Sequence, residues 1–134
     1  MSDILSLVTT VQKKSVGQSS REDVILTNMT LPVNVSAEVG VPGQQVTLAA
    51  TGSPGATFVI PVGAGTVLPV LKALVIWNRT LDTEVDLYLA ASGTKIPISA
   101  LLVLTFATTP AQVRLVNPGT APVKVDIWSA GTLV

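Results

Sequence analysis

Asp82, Glu84 and Asp86 alternate along one stretch of chain, a spacing that on a strand puts three carboxylates on one face, about 6.5–7 Å apart. Oxygen ligands in such a row could hold Ca²⁺, but calcium sites usually gather ligands from a turning loop, and this is not the EF-hand spacing. The row therefore reads as a solvated strand face. Paired carboxylates also support glycoside hydrolysis. The chain has only eight acidic residues, none of them in a recognisable cleft motif, and Asp126 has Lys124 beside it on the same face. Histidine and cysteine are absent. That removes the commonest general base, imidazole and thiolate metal ligands, cysteine nucleophiles and disulfides. A Ser-His-Asp triad is impossible. Gly63-Ala64-Gly65 is followed by no lysine and no helix, so it reads as a turn and not a phosphate loop. The expectation is a non-enzymatic protein with no catalytic residue, no metal and no cofactor.

Three Asn-x-Ser/Thr sequons occur, at Asn28, Asn34 and Asn78. No signal peptide accompanies them, so chance in a threonine-rich chain explains them, and Asn28 and Asn78 read as strand-ending residues. The aromatics are more informative. In the strand around Val85-Asp86-Leu87-Tyr88, Val85, Leu87 and Leu89 point one way, with Glu84, Asp86 and Tyr88 opposite. Around Val125-Asp126-Ile127-Trp128, Val123, Val125 and Ile127 point in, with Lys124, Asp126 and Trp128 out. Tyr88 and Trp128 thus mark a candidate contact face, because both residue types are favoured at interfaces and at sugar-stacking sites. Trp77 shares an alternation with Leu71, Ala73 and Val75 and is expected in the core.

These strings belong to an internal repeat. ALVIWNRTLDTEVDLYLAASGT from Ala73 parallels AQVRLVNPGTAPVKVDIWSAGT from Ala111. Each has an apolar strand ending in Asn (Asn78, Asn117), a short turn, the string V-D-aliphatic-aromatic, and Gly-Thr. A fainter third copy starts at Val24 (VILTNMTLPVNVSA). Each copy is expected to be a β-hairpin, with Asn bonding back to nearby backbone at the strand end.

The elements that carry these residues are β. From Asp23 onward, runs rich in Val, Ile, Leu and Thr are broken by Pro42-Gly43, Pro54-Gly55 and Pro118-Gly119, and nine prolines leave no room for a long helix. The predicted strands are 23–28, 31–36, 45–51, 57–61, 71–78, 84–90, 101–106, 111–117 and 123–129, with a flexible connection over 60–69. Short strands at near-even spacing predict an all-β fold, an antiparallel β-sandwich or jelly roll. The start of the chain differs. Ile4, Leu7, Val8 and Val11 fall on one face of a short helix capped by Ser2 or Asp3, and KSVGQSSRE reads as a linker. The division is thus an N-terminal arm and linker, 1–21, helical or extended, and a β-sandwich domain, 22–134. The arm docks on a neighbour or on its own domain.

Composition points to assembly. Only 12% of residues are charged, 48% are apolar and the net charge is zero, against about 25% charged in an average soluble protein. Such a chain has little to keep a monomer dispersed, and its excess apolar surface suits an interface. The balanced charge argues against nucleic acid. The most apolar stretch, 96–107, is too short for a membrane-spanning helix, which needs about 20 residues.

The strand-Asn-turn-Pro-Val-x-Val pattern, clearest in LVNPGTAPVKVDIW, resembles the central hairpin of many immunoglobulin-like and jelly-roll modules. With its short N-terminal arm, the whole chain is similar to the small β-rich accessory proteins of tailed-phage virions. The resemblance implies a structural role: a capsid decoration or cement protein, or a tail-associated one. It would be made in the host cytoplasm and resident in the virion. Its partners would be its own copies, a trimer favoured, and other virion proteins such as the major capsid protein. A carbohydrate- or receptor-binding module of a tail or fibre is the alternative.

Overall fold

The computed structural model describes residues 3–14 and 22–133, with side-chain surroundings for Val35, Ser36 and residues 44–133. Among the described residues ten strands form: β1 (Asp3–Lys14), β2 (Glu22–Val35), β3 (Ala37–Leu48), β4 (Thr57–Ile60), β5 (Val70–Asn78), β6 (Val85–Tyr88), β7 (Ile96–Ile98), β8 (Leu101–Thr105), β9 (Val113–Val116) and β10 (Val123–Thr132). A 3-10 turn, Pro54–Ala56, precedes β4. Two antiparallel four-stranded sheets, β3-β10-β5-β8 and β4-β9-β6-β7, pack face to face as a β-sandwich.

The start of the chain is extended, not helical. β1 pairs antiparallel with β2, Asp3 opposite Val35 and Lys14 opposite Glu22, as a separate two-stranded sheet. Spacing of i, i+3, i+4 identified a helical face at Ile4, Leu7, Val8 and Val11, but the intervening Leu5 is apolar too and Thr9-Thr10 is β-branched, which suits a strand. β2, which the sequence placed in the sandwich domain, pairs with β1 instead. It runs unbroken through Asn28, so the faint third repeat is one strand with no turn. The linker reading falls mainly on residues 15–21, outside the described residues.

The two strong repeats are not hairpins. β5 lies in one sheet and β6 in the other; β9 and β10 are likewise split. Each repeat is an arch whose loop, 79–84 or 117–122, spans the gap of about 10 Å between packed sheets. A two-residue turn would have kept both strands in one sheet. The arches interlock: β5 pairs with β10, and β6 with β9. Their registers correspond. Trp77, Ile76 and Val75 face Asp126, Ile127 and Trp128. The equivalent residues Val116, Leu115 and Arg114 face Asp86, Leu87 and Tyr88. The flanking strands follow, β8 on β5 as β4 on β9, and β3 on β10 as β7 on β6. The sandwich is therefore two copies of one arch related by an internal pseudo-two-fold.

The core lies between the sheets. Leu74, Ile76, Val85, Leu87, Val113, Leu115 and Val125 have no exposed surface, and each such side chain contributes roughly 1.5–3 kcal/mol. Val123 and Ile127 join them, as alternation requires. Trp77 does not; it is 48% exposed. Ala130 faces Ala73 but Gly131 faces Leu71, so Lys72 is an extra residue on β5. This bulge inverts the alternation: Leu71 points in before it, and Leu74 and Ile76 point in after it, which turns Trp77 out. Gly131 is required there, because a Cβ would overlap the Val70 carbonyl oxygen. The connection at 60–69 is pinned, with Gly63 N–H donating to the Leu68 carbonyl at 3.0 Å, Thr66 Oγ1 donating to the Gly63 carbonyl at 2.7 Å, and Leu68 fully buried.

Candidate functional site

The repeated asparagines build the loop end of the sandwich. Asn117 is fully buried; its Oδ1 accepts from Gly119 N–H at 2.9 Å, closing an Asx turn, and its Nδ2 donates to the carbonyls of Ala121 (2.8 Å), Ala49 (2.9 Å) and Leu48 (3.4 Å). Asn78 repeats the design: Oδ1 accepts from Thr80 N–H, and Nδ2 donates to the carbonyl and hydroxyl of Thr83, each at 3.1 Å. The Asn78 amide is therefore a buried structural group and not a glycan acceptor. Beside it an open cleft of about 640 Å³ runs from Trp77 and Arg79 to Ser99 and Ala100.

Tyr88 and Trp128 do not share a face. Tyr88 stands on the outer surface of the β4-β9-β6-β7 sheet, Trp128 on that of the β3-β10-β5-β8 sheet, so the sandwich separates them. The single contact face drawn from both is corrected to two surfaces. On the first, the Arg114 guanidinium lies 4.4 Å from the Tyr88 ring centroid. Lys95 Nζ bridges Glu84 Oε2 at 3.2 Å and Asp86 Oδ2 at 3.1 Å. Asp86 is covered while its Oδ1 has no partner. That burial, followed by a hydrogen bond to Glu84, raises the Asp86 carboxyl above its ordinary value; the same hydrogen bond and Lys95 hold Glu84 below its own. The Asp82-Glu84-Asp86 row is thus broken. Asp82 sits in the turn at φ 57°, and Lys95 occupies the place a cation would take. Among the described residues, no group of three or more acidic side chains is placed to hold a metal ion.

The second surface is more apolar. One cross-strand row reads Leu101, Trp77, Asp126, Gln45. Arg79 covers the Trp77 ring at 3.9 Å and pairs with Asp126 Oδ2 at 3.0 Å, and Gln45 Nε2 donates to Asp126 Oδ1 at 3.3 Å. The next row joins Val103, Val75 and Trp128. Leu101 is 60% exposed at the sheet's edge. Sequence reasoning passed over Arg79 and Leu101, although Arg79 is two residues beyond Trp77 and shares its side of the strand.

The arm residues Ile4, Leu7, Val8 and Val11 all lie in β1, and their side chains are outside the described residues. No helix among the described residues is long and apolar enough to cross a membrane. Comparisons with family models, curated proteins and solved structures return no match.

Proposed function

We propose that this chain is a non-enzymatic structural protein of a virion, a capsid decoration or cement protein or a similar accessory. It oligomerises and attaches to a larger protein shell. The observation that carries the reading is the outer surface of the β3-β10-β5-β8 sheet. There Leu101, Val103, Val75, Trp77 and Trp128 lie in adjacent rows, with one ion pair among them. An apolar face of this kind suits burial against another protein, and the low charge of the whole chain fits the same role. The resemblance to tailed-phage accessory proteins supplies the virion and the trimer. Light scattering on the purified chain tests the self-association, and mass spectrometry of purified particles tests the attachment. A chain that stays monomeric at micromolar concentration and is missing from particles would sink the reading.

A glycan-binding module of a tail or fibre is the second reading. It rests on Trp77, half-exposed at the rim of the cleft with Asp126 and Gln45 alongside. Arg79 covers one face of that ring, so a sugar would have to displace it or use the other face. Glycan-array binding that disappears in both Trp77→Ala and Trp128→Ala would favour this reading over architecture alone.

A further inference from the structure

We propose that β8 pairs antiparallel with β8 of a second copy, about a two-fold axis at Val103, which joins the two sheets into one of eight strands. The inference rests on the self-assembly reading and names the surface and the partner. It starts from the hydrogen-bond parity of β8. Asn78 N–H donates to the Ala100 carbonyl at 2.7 Å and Phe106 N–H to the Lys72 carbonyl at 2.9 Å. In an antiparallel ladder these bonds alternate along the strand. The backbone groups of Leu102 and Leu104 therefore turn toward β5, and those of Leu101, Val103 and Thr105 turn away from it. β8 ends its sheet, so that second set faces outward.

Natural sheet edges are blunted by proline, charge, bulges or shortness. β3 carries Pro42 and a register shift against β10. β4, the pseudo-two-fold equivalent of β8, is held between Pro54 and Pro61. β7 has three residues and Pro97. β8, with the sequence LLVLT, has none of these devices. No charged residue occurs from Ile96 to Val113. A charged partner finds nothing to pair with there, whereas a second copy meets no like charge.

The strand is also self-complementary. With Val103 opposite itself, Leu101 faces Thr105, and the outward N–H and C=O groups of both copies meet. Leu102 and Leu104, half-buried at the open rim of the core, face one another across the axis and extend that core. A five-residue strand spans about 17 Å, and such a contact buries less than the ~800 Å² per partner of a standard complex. Its affinity is correspondingly modest, in the micromolar range. The contact is two-fold: alone it yields dimers, and combined with a three-fold contact it links trimers in pairs.

The test is sedimentation velocity on the full chain, with amide hydrogen exchange read at low and high concentration. Val103→Pro removes an outward N–H without touching a bond to β5. Val103→Lys leaves the backbone intact, so it carries the test if the proline variant does not fold. Each should weaken self-association at least tenfold and halve the assembled mass. Val59→Lys, at the equivalent position on β4, should change neither. The amides of Leu101, Val103 and Thr105 should gain protection as concentration rises. An assembly whose mass ignores both Val103 variants, with those amides unprotected, overturns the β8 contact and leaves self-assembly standing. A wild-type chain that stays monomeric throughout overturns both.

Discussion

Replacing Asn117 with alanine removes a fully buried side chain that makes four hydrogen bonds. Its amide closes the Asx turn to Gly119, holds the Ala121 carbonyl within the same loop, and ties the Leu48 and Ala49 carbonyls at the end of β3 to the arch. Each neutral hydrogen bond contributes about 1 kcal/mol net, and a group left buried without a partner costs about 1–3 kcal/mol. Ala121 is exposed, so its carbonyl can turn to water; Ala49 is half-buried and less able to. The three short bonds together give an expected loss of about 3–5 kcal/mol, a large share of the 5–15 kcal/mol typical of a domain. Urea unfolding reads this as a midpoint lowered by about 1–3 M at unchanged slope. Asn78→Ala should cost about 1 kcal/mol less, because its bonds are longer, 3.1–3.5 Å, and the Thr83 hydroxyl keeps its 2.7 Å bond to the Thr80 carbonyl. Asn117→Asp keeps the acceptor for Gly119 but aims an anion at the three carbonyls, so it should be no better than alanine. A loss below about 1 kcal/mol for Asn117→Ala, or a stable Asn117→Asp protein, would refute the reasoning.

Two further perturbations test other parts of the account. Gly131→Ala should cost roughly 3 kcal/mol or more, at the upper end of overpacking, because its Cβ meets rigid backbone at Val70; a urea midpoint equal to wild type would contradict the bulge. Asp86 has a raised folded-state pKa, so its contribution to stability is complete below the ordinary carboxylate value and is lost as pH rises through the raised one. Glu84, held low, contributes above its ordinary value and loses that contribution as pH falls through the lowered one. Asp86→Asn should therefore abolish the loss of stability on leaving the acid range. Urea midpoints measured from acid to neutral pH should show that limb in the wild type alone, and an unchanged profile would refute the pairing.

Much of the sandwich was legible in the sequence because strand alternation and Pro-Gly turns are local signals. The inward set Val85, Leu87, Val123, Val125 and Ile127 follows from period two, and the Asx role of Asn78 and Asn117 from the reach of a short amide to the backbone just beyond it. What failed was non-local. The bulge at Lys72 depends on β10 and Gly131, so nothing within β5 alone reveals that Trp77 turns outward. Alternation tells inside from outside but does not assign a strand to a sheet, which is why Tyr88 and Trp128 were grouped although they stand on opposite surfaces. The same gap turned two arches into expected hairpins. β7 was missed because Pro97 demotes a short strand, although an edge position tolerates it. Lys95 escaped notice because it joins Glu84 and Asp86 only across the β6–β7 pair.

Self-association is the central claim, and the mass of the unmodified chain in solution as a function of concentration tests it most directly. Sedimentation velocity should show a species at a multiple of 13.8 kDa, growing in across the micromolar range. A single 13.8 kDa species at every concentration would contradict the account.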